Sequence, residues 1–300
     1  MTARNVEWAK FLDLSGVRVL EVKGISWYEY SGFLTPAYLP HCVPPISIEG
    51  ARDACKAARV PFVRWTTKFG ELGQSEWWHV IREGEYKPQD CSKKTRSEIN
   101  RGKKELTARL LSLDEVLDQG YEVCKKAVER FDDNAFLPSK DAFLRRVHAS
   151  MKVPGVMEYY GAFYGQQLVA LAENVIQCNA VFWEAIWYDP KFLNLRSSYV
   201  LIDHMLDHYL NERKFLYVTD GNRSIYHATS VQDFFIKKFG FIKKYAELDI
   251  CYSPFMRVAI GVAYTFRGPL SIVARGLSAR RRKQLEGIVI QEGIRRSNAG

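Results

Sequence analysis

Residues 183–201 read WEAIWYDPKFLNLRSSYVL, and the order of residue types along them decides the fold. Trp183 to Tyr188 are mostly aromatic or aliphatic, which suits a pleated, half-buried strand. Asp189-Pro190 ends that strand, since proline lacks the N–H that a strand ladder needs. A short polar loop follows. From Ser198 to Glu212 the apolar residues Val200, Leu201, Met205 and Leu206 then recur at helical spacing.

Upstream, Met157 to Tyr164 and Gln167 to Gln177 are strands of an antiparallel meander with Ala180 to Tyr188, turning at Gly165 and at Cys178-Asn179. Before them lie two helices, Leu113 to Phe131 and Asp141 to Met151. Downstream come a strand at Phe215 to Thr219, a polar loop at Asp220 to Ser230, a helix at Val231 to Phe239 and further strand from Phe241 to Tyr252. The first hundred residues mix strands (Val17 to Val22, Val60 to Thr67, Trp77 to Ile81), an extended aromatic stretch (Trp27 to Leu39) and a helix (Ile48 to Arg59). A basic linking helix, Cys91 to Leu106, closes them.

The chain has 300 residues, 47% hydrophobic and 26% charged, which excludes disorder, collagen and coiled coil and predicts two compact halves. Its formal net charge of +9 is concentrated in two places, residues 93–104 with +5 and residues 255–300 with +7. The remainder is mildly acidic, so a general nucleic-acid binder with basic residues spread over a reading face is not expected. Cys42, Cys55, Cys91, Cys124, Cys178 and Cys251 show no Cys-x-x-Cys spacing, which predicts reduced thiols, no metal cluster and a cytoplasmic protein. Met1 to Lys10 lacks the apolar core of a signal peptide. The most apolar window, Val258 to Ala274, is interrupted by Arg267, Gly268 and Pro269.

Four stretches taken in order resemble the GNAT N-acetyltransferase superfamily: Trp183 to Pro190, Phe192 to Leu201, Lys214 to Ser224 and Gln232 to Phe241 (QDFFIKKFGF). Within it they are most similar to the tandem FemAB-like branch, where a reduced N-terminal GNAT-like half precedes a fuller C-terminal one. The resemblance implies an α/β protein with mixed, mostly antiparallel sheets flanked by helices. It divides the chain into an N-terminal half with its basic linking helix (1–104), a C-terminal GNAT domain (105–254) and a basic amphipathic tail (255–300).

In that superfamily the loop after the fourth strand cradles the pyrophosphate of coenzyme A on a helix N-terminus, where free N–H groups and the helix dipole favour an anion. The matching positions are Asn194, Leu195, Arg196, Ser197 and Ser198. They hold no glycine, but the serines are small and an arginine suits a phosphate. Ile186 and Tyr188 on the preceding strand are assigned to the same coenzyme.

Acyl transfer to an amine also needs a base. The tyrosine of the resemblance falls at Ile236, which leaves Glu173 and Glu184 on apolar strands, where desolvation raises a carboxyl pKa, and Tyr226 and His227 in the following loop. That loop lies at the carboxyl end of a central strand, where open α/β sheets bind ligands, so Asp220, Asn222, Arg223 and Thr229 are candidates for binding the acceptor. His204 and His208, one helical turn apart, read as an exposed polar face rather than metal ligands.

The expected activity is metal-free transfer of an acyl group from acetyl-CoA or another acyl-CoA to an amine of an envelope or polysaccharide precursor. One alternative is an aminoacyl-tRNA-dependent Fem-type transferase whose basic helix meets tRNA; another is a GNAT-like binding protein that has lost catalysis. From Phe255 onward apolar residues alternate with Arg257, Arg267, Arg275 and Arg280 to Lys283. That composition suits either peripheral contact with the inner face of an anionic membrane or packing on the body of the protein.

Overall fold

Trp8, Phe11 and Leu12 recur on one face of helix α1 (Arg4–Leu14) and are buried there, against the helix and strand described below as α6 and β8. The sequence reading starts its first element at Val17, so this helix is an addition. The computed structural model describes residues 4–129, 137–225, 230–266 and 279–298.

Strands β1 (Val19–Val22), β2 (Ile25–Tyr30) and β3 (Phe33–Pro36) form two successive hairpins. Their two-residue turns, Lys23-Gly24 and Ser31-Gly32, have positive φ at both positions, the geometry that matches the right-handed twist of the flanking strands. The stretch Trp27 to Leu39 is therefore broken by a turn rather than extended throughout. Helix α2 (Ile48–Ala58) is capped by Ser47, whose hydroxyl accepts from the Gly50 N–H, and ends at Arg59 in the left-handed region. Strands β4 (Phe62–Thr67) and β5 (Trp77–Glu83) follow.

Helix α3 (Lys93–Glu105) is the basic linking helix, with Ser92 as its cap, and strand β6 (Thr107–Leu110) succeeds it. Ser112 and Glu115 close a capping box on the short helix α4 (Leu113–Glu115), which runs through a π-helical stretch into α5 (Tyr121–Val128). Then come α6 (Lys140–Lys152), β7 (Met157–Tyr164), β8 (Gln167–Gln177), β9 (Ala180–Tyr188), α7 (Ser197–Leu206), β10 (Tyr217–Asn222), α8 (Ser230–Phe239) and β11 (Ile242–Tyr252). Helices α9 (Pro254–Thr265) and α10 (Ala279–Ser297) complete the described chain.

These elements gather into two compact units that interleave along the sequence. One is built from Met1–Val17, Val80–Gly221 and Val231–Ile242, the other from Arg18–His79, Asn222–Ser230 and Lys243–Gly300. In the first unit β6, β7, β8 and β9 pair antiparallel in that order and β10 lies parallel to β9. In the second, β1, β2 and β3 pair antiparallel, β3 meets β4 in parallel and β4 meets β11 antiparallel. The class is thus α/β with mixed, mostly antiparallel strand pairing and flanking helices.

The second unit has a core on each face of its strands. Trp27, Leu34, Val63 and Trp65 pack with Ala51, Ala54 and Ala58 of α2. Phe33, Phe62, Trp77 and Leu248 pack with Ile260 of α9 and Ile294 of α10. The tail is held further by polar contacts: the Tyr252 hydroxyl donates to Glu292 Oε2 at 3.0 Å, and Arg64 donates to Gln291 Oε1 at 3.0 Å.

Candidate active site

Two parallel strands that part company leave backbone groups and a cleft between them. β9 and β10 are paired only at Val181↔Val218 and Phe182↔Thr219. Just beyond, the register between β8 and β9 shifts, with Asn174 opposite Trp183 and Glu173 opposite Ala185, so Glu184 is the extra residue of a β-bulge. A bulge bends its strand and sharpens the local twist, which carries the rest of β9 away from β10. From Glu184 to Tyr188 every residue is half-buried, whereas β8 beside it is almost wholly buried. On β10 the Thr219 side chain donates to the Val80 carbonyl and accepts from the Gly221 N–H, both at 2.9 Å, turning the backbone directly after Asp220. Gly221 sits at φ +90°, and a Cβ there would meet the Phe182 ring at 3.1 Å, so no larger residue fits the turn.

Asp220 stands at the end of β10, half-buried. Burial pushes its carboxyl up to about 7, against the opposing pull of a hydrogen bond from Gln232 on α8. Tyr188, at the end of β9, has its phenol pushed well above the ordinary value by burial and then by the Asp220 charge. A base that titrates near neutrality and a phenol that keeps its proton therefore lie within electrostatic reach of each other in the open part of the strand pair. Asp220 was expected among acceptor-binding residues and Tyr188 among coenzyme-binding ones; Gln232 has no signal in the sequence beyond its place in the QDFFIKKFGF stretch.

The segment between β9 and α7 winds through a 3-10 turn, Pro190–Leu195, and its arginine is turned toward another helix. Asp189 is buried, accepts from the Lys191 N–H at 3.0 Å and faces the Lys126 ammonium at 3.4 Å. Arg196 takes a left-handed conformation, φ +70°, and serves as N-cap without a side-chain cap bond, so Ser197 and Ser198 begin the helix rather than cap it. Ser197 is fully buried and its hydroxyl has no hydrogen-bond partner. The Arg196 guanidinium pairs with Glu98 of α3 and donates to the Asn194 carbonyl. Helix α3 lies tight on this loop: a Cβ at Gly102 would stand 2.4 Å from the Val200 side chain and 3.2 Å from the Leu195 carbonyl oxygen. Glu98, the one acidic residue between Lys93 and Lys104, thus neutralises the arginine expected to hold a phosphate.

Glu173 and Glu184 converge on one cation. Arg146 of α6 donates to Glu173 Oε2 at 3.3 Å and to Glu184 Oε2 at 2.7 Å, while Trp187 Nε1 donates to Glu173 Oε1 at 3.0 Å. Burial works against the Arg146 charge, but the Glu184 and Glu173 carboxylates outweigh it and hold the guanidinium above its usual pKa. The two glutamates staple the bulge to α6. Arg223 is likewise engaged, donating to Glu76 Oε2 at 2.7 Å and lying over the Trp78 ring, and Asn222 beside it is exposed. Tyr226, His227 and Thr229 fall outside the described residues.

The helix face with His204 and His208 differs from expectation. Both rings pack on Tyr160, and Asp203, the residue before His204, is buried, accepting from the Tyr86 hydroxyl at 2.7 Å and paired with Lys103 at 2.6 Å. An apolar sheet face opposite α7 draws these imidazoles inward, so the face is not a solvated one.

Several solved structures share this arrangement. The DUF2156 C-terminal domain of an Agrobacterium fabrum protein, named for lysylphosphatidylglycerol synthetase, matches with a TM-score of 0.57 at 10% identity, over 87% of this chain and 91% of that one. FemX matches with a TM-score of 0.55 at 9% identity, over 84% and 92%. The chain shares the fold of these two proteins. L-PGS from Bacillus licheniformis matches with a TM-score of 0.52 at 12% identity, over 87% of this chain and 95% of its own. No family model and no curated protein matches the sequence. At identities this low the likeness is one of fold alone.

Proposed function

We propose that the protein is an acyl-group transferase that joins an activated acyl group to an amine in the cleft between β9 and β10. The observation that carries this reading is Asp220, a carboxyl poised to titrate at about 7 where those strands separate. A base matched to ambient pH takes the proton from the attacking amine as the N–C bond forms. Backbone N–H groups of β9 beyond the bulge polarise the acyl carbonyl, and the protonated Tyr188 hydroxyl donates to the leaving group as its bond to the acyl carbon breaks. FemX and the two synthetase structures support a transferase through fold alone.

The donor in the first reading is acetyl-CoA or a longer acyl-CoA, with its pyrophosphate on the start of α7, where the buried Ser197 hydroxyl lacks a partner. The pairing of Arg196 with Glu98 favours a second reading, an aminoacyl-tRNA donor that makes no use of this loop. Thermal unfolding with acetyl-CoA, a longer acyl-CoA or aminoacyl-tRNA separates them. In the first case CoA raises the midpoint and Glu98→Gln, which frees Arg196, increases the shift; in the second only the tRNA raises it. For either donor, Asp220→Asn lowers kcat by about 10²–10⁴-fold and removes the rise in rate centred near pH 7. An unchanged profile overturns the assignment.

A further inference from the structure

Helix α9 carries apolar side chains on two opposite faces, one buried and one exposed. One face carries Ile260 and the partly buried Met256 into the second unit's core, and Tyr264 lies under the Arg296 guanidinium. The other presents Phe255, Val258 and Val262, followed by Phe266 at the C-cap, which are 80%, 68%, 54% and 56% exposed. Their spacing places them in one stripe along the helix, with exposed Ala259 inside it. Burial of these side chains is not supplied by the described fold, and a stripe of this kind marks an interaction surface.

We infer that the outer face of α9 lies on an anionic lipid surface, with the helix flat in the headgroup region. Charge selects this occupant. Helix α9 holds no acidic residue and one exposed basic residue, Arg257, and residues 255–300 carry a net +7. Among the described acidic side chains of this stretch, Glu292 is buried and bonded to Arg295 and Arg296, and Glu286 is paired with Arg282. A second copy of the chain would bring like charge to like charge. It would also need about 800 Å² per partner, whereas one face of a helix this short is roughly 18 Å long and offers far less. A membrane interface has no such area requirement: apolar side chains enter the acyl boundary while cations meet the headgroups. No described helix is long and apolar enough to cross a membrane, so the contact is peripheral.

Flotation of the full chain with vesicles of phosphatidylcholine alone, and of phosphatidylcholine mixed with phosphatidylglycerol, tests this. The protein is expected to float with the mixed vesicles, less so at high salt, and poorly with phosphatidylcholine alone. Phe255→Ser with Val262→Ser should weaken binding by about tenfold or more, from the loss of two buried side chains, while leaving the circular dichroism and melting midpoint unchanged. Leu216→Ser, an exposed apolar residue of the other unit, should have no effect. Equal flotation of wild type and the α9 variant overturns the inference. So does a concentration-dependent dimer in analytical ultracentrifugation that the α9 variant abolishes, which would give the face to a second copy.

Discussion

Asp220 illustrates how one side chain couples stability to activity. Its folded-state pKa of about 7 lies above the ordinary 3.8, so between those values the folded chain binds more protons than the unfolded one. Stability from this group is therefore fully present below pH 3.8, falls as pH rises toward 7 and stays reduced above it. Asp220→Asn removes a cost of at most about 4 kcal/mol, so the variant should be more stable than wild type at pH 8 and equal to it near pH 4, by urea denaturation. Arg146 carries the opposite risk. Arg146→Leu leaves Glu173 buried beside Glu184 with no cation between them, and should cost about 3–5 kcal/mol in the same measurement at pH 7. An effect below about 1 kcal/mol would mean that the staple does not hold the bulge. Neither role shows in the sequence. Asp220 is one of many polar residues in its loop, and Arg146 stands among ordinary helix-surface residues until the fold brings β8 and β9 beneath it.

At the scale of elements, the pairing of α3 with α7 sets the shape of the loop before the candidate donor site. The contact depends on Gly102, because a methyl group there would overlap the Val200 side chain. Gly102→Ala should destabilise by about 1–3 kcal/mol, and Val200→Ala in the same chain should recover part of the loss, as a double-mutant cycle by chemical denaturation would show. Additive losses would rule out this contact as the cause. The elements themselves were largely legible. The boundaries of β7, β8 and β9 follow from apolar runs and from turn residues such as Gly165 and Asn179, both of which adopt positive φ, whereas β10 begins two residues later than its apolar run and extends through the polar Asp220 to Asn222. Helix α1 went unread because its apolar face is completed only by α6 and β8, distant in sequence, and strand β6 because its four residues are mostly exposed and it is defined by pairing with β7.

At the scale of the whole molecule, the tail is structural as well as available for docking. Truncation before Pro254 removes Ile260, Ile294 and Glu292 and uncovers Phe33, Phe62, Trp77 and Leu248. Each large side chain returned to water costs about 1.5–3 kcal/mol, so the truncated chain should lose about 10 °C or more in melting midpoint, or fail to stay in solution. An unchanged midpoint by circular dichroism would contradict this packing. The point variants of α9 are for that reason the proper test of its outer face.

The sequence by itself determined what depends on near neighbours along the chain: much of the strand and helix order, the meander turns at Gly165 and Cys178-Asn179, the strand-loop-helix succession at 183–201 and, through that order, the fold shared with FemX. It also located the basic charge in α3 and in the tail. Only the tertiary structure decided which charges face one another. Whether Arg196 meets a phosphate or Glu98, whether Glu184 is a base or a staple, and whether Asp220 is an ordinary carboxylate or one titrating near neutrality all depend on desolvation and on partners tens of residues away. Those terms act through space, and no local pattern encodes them.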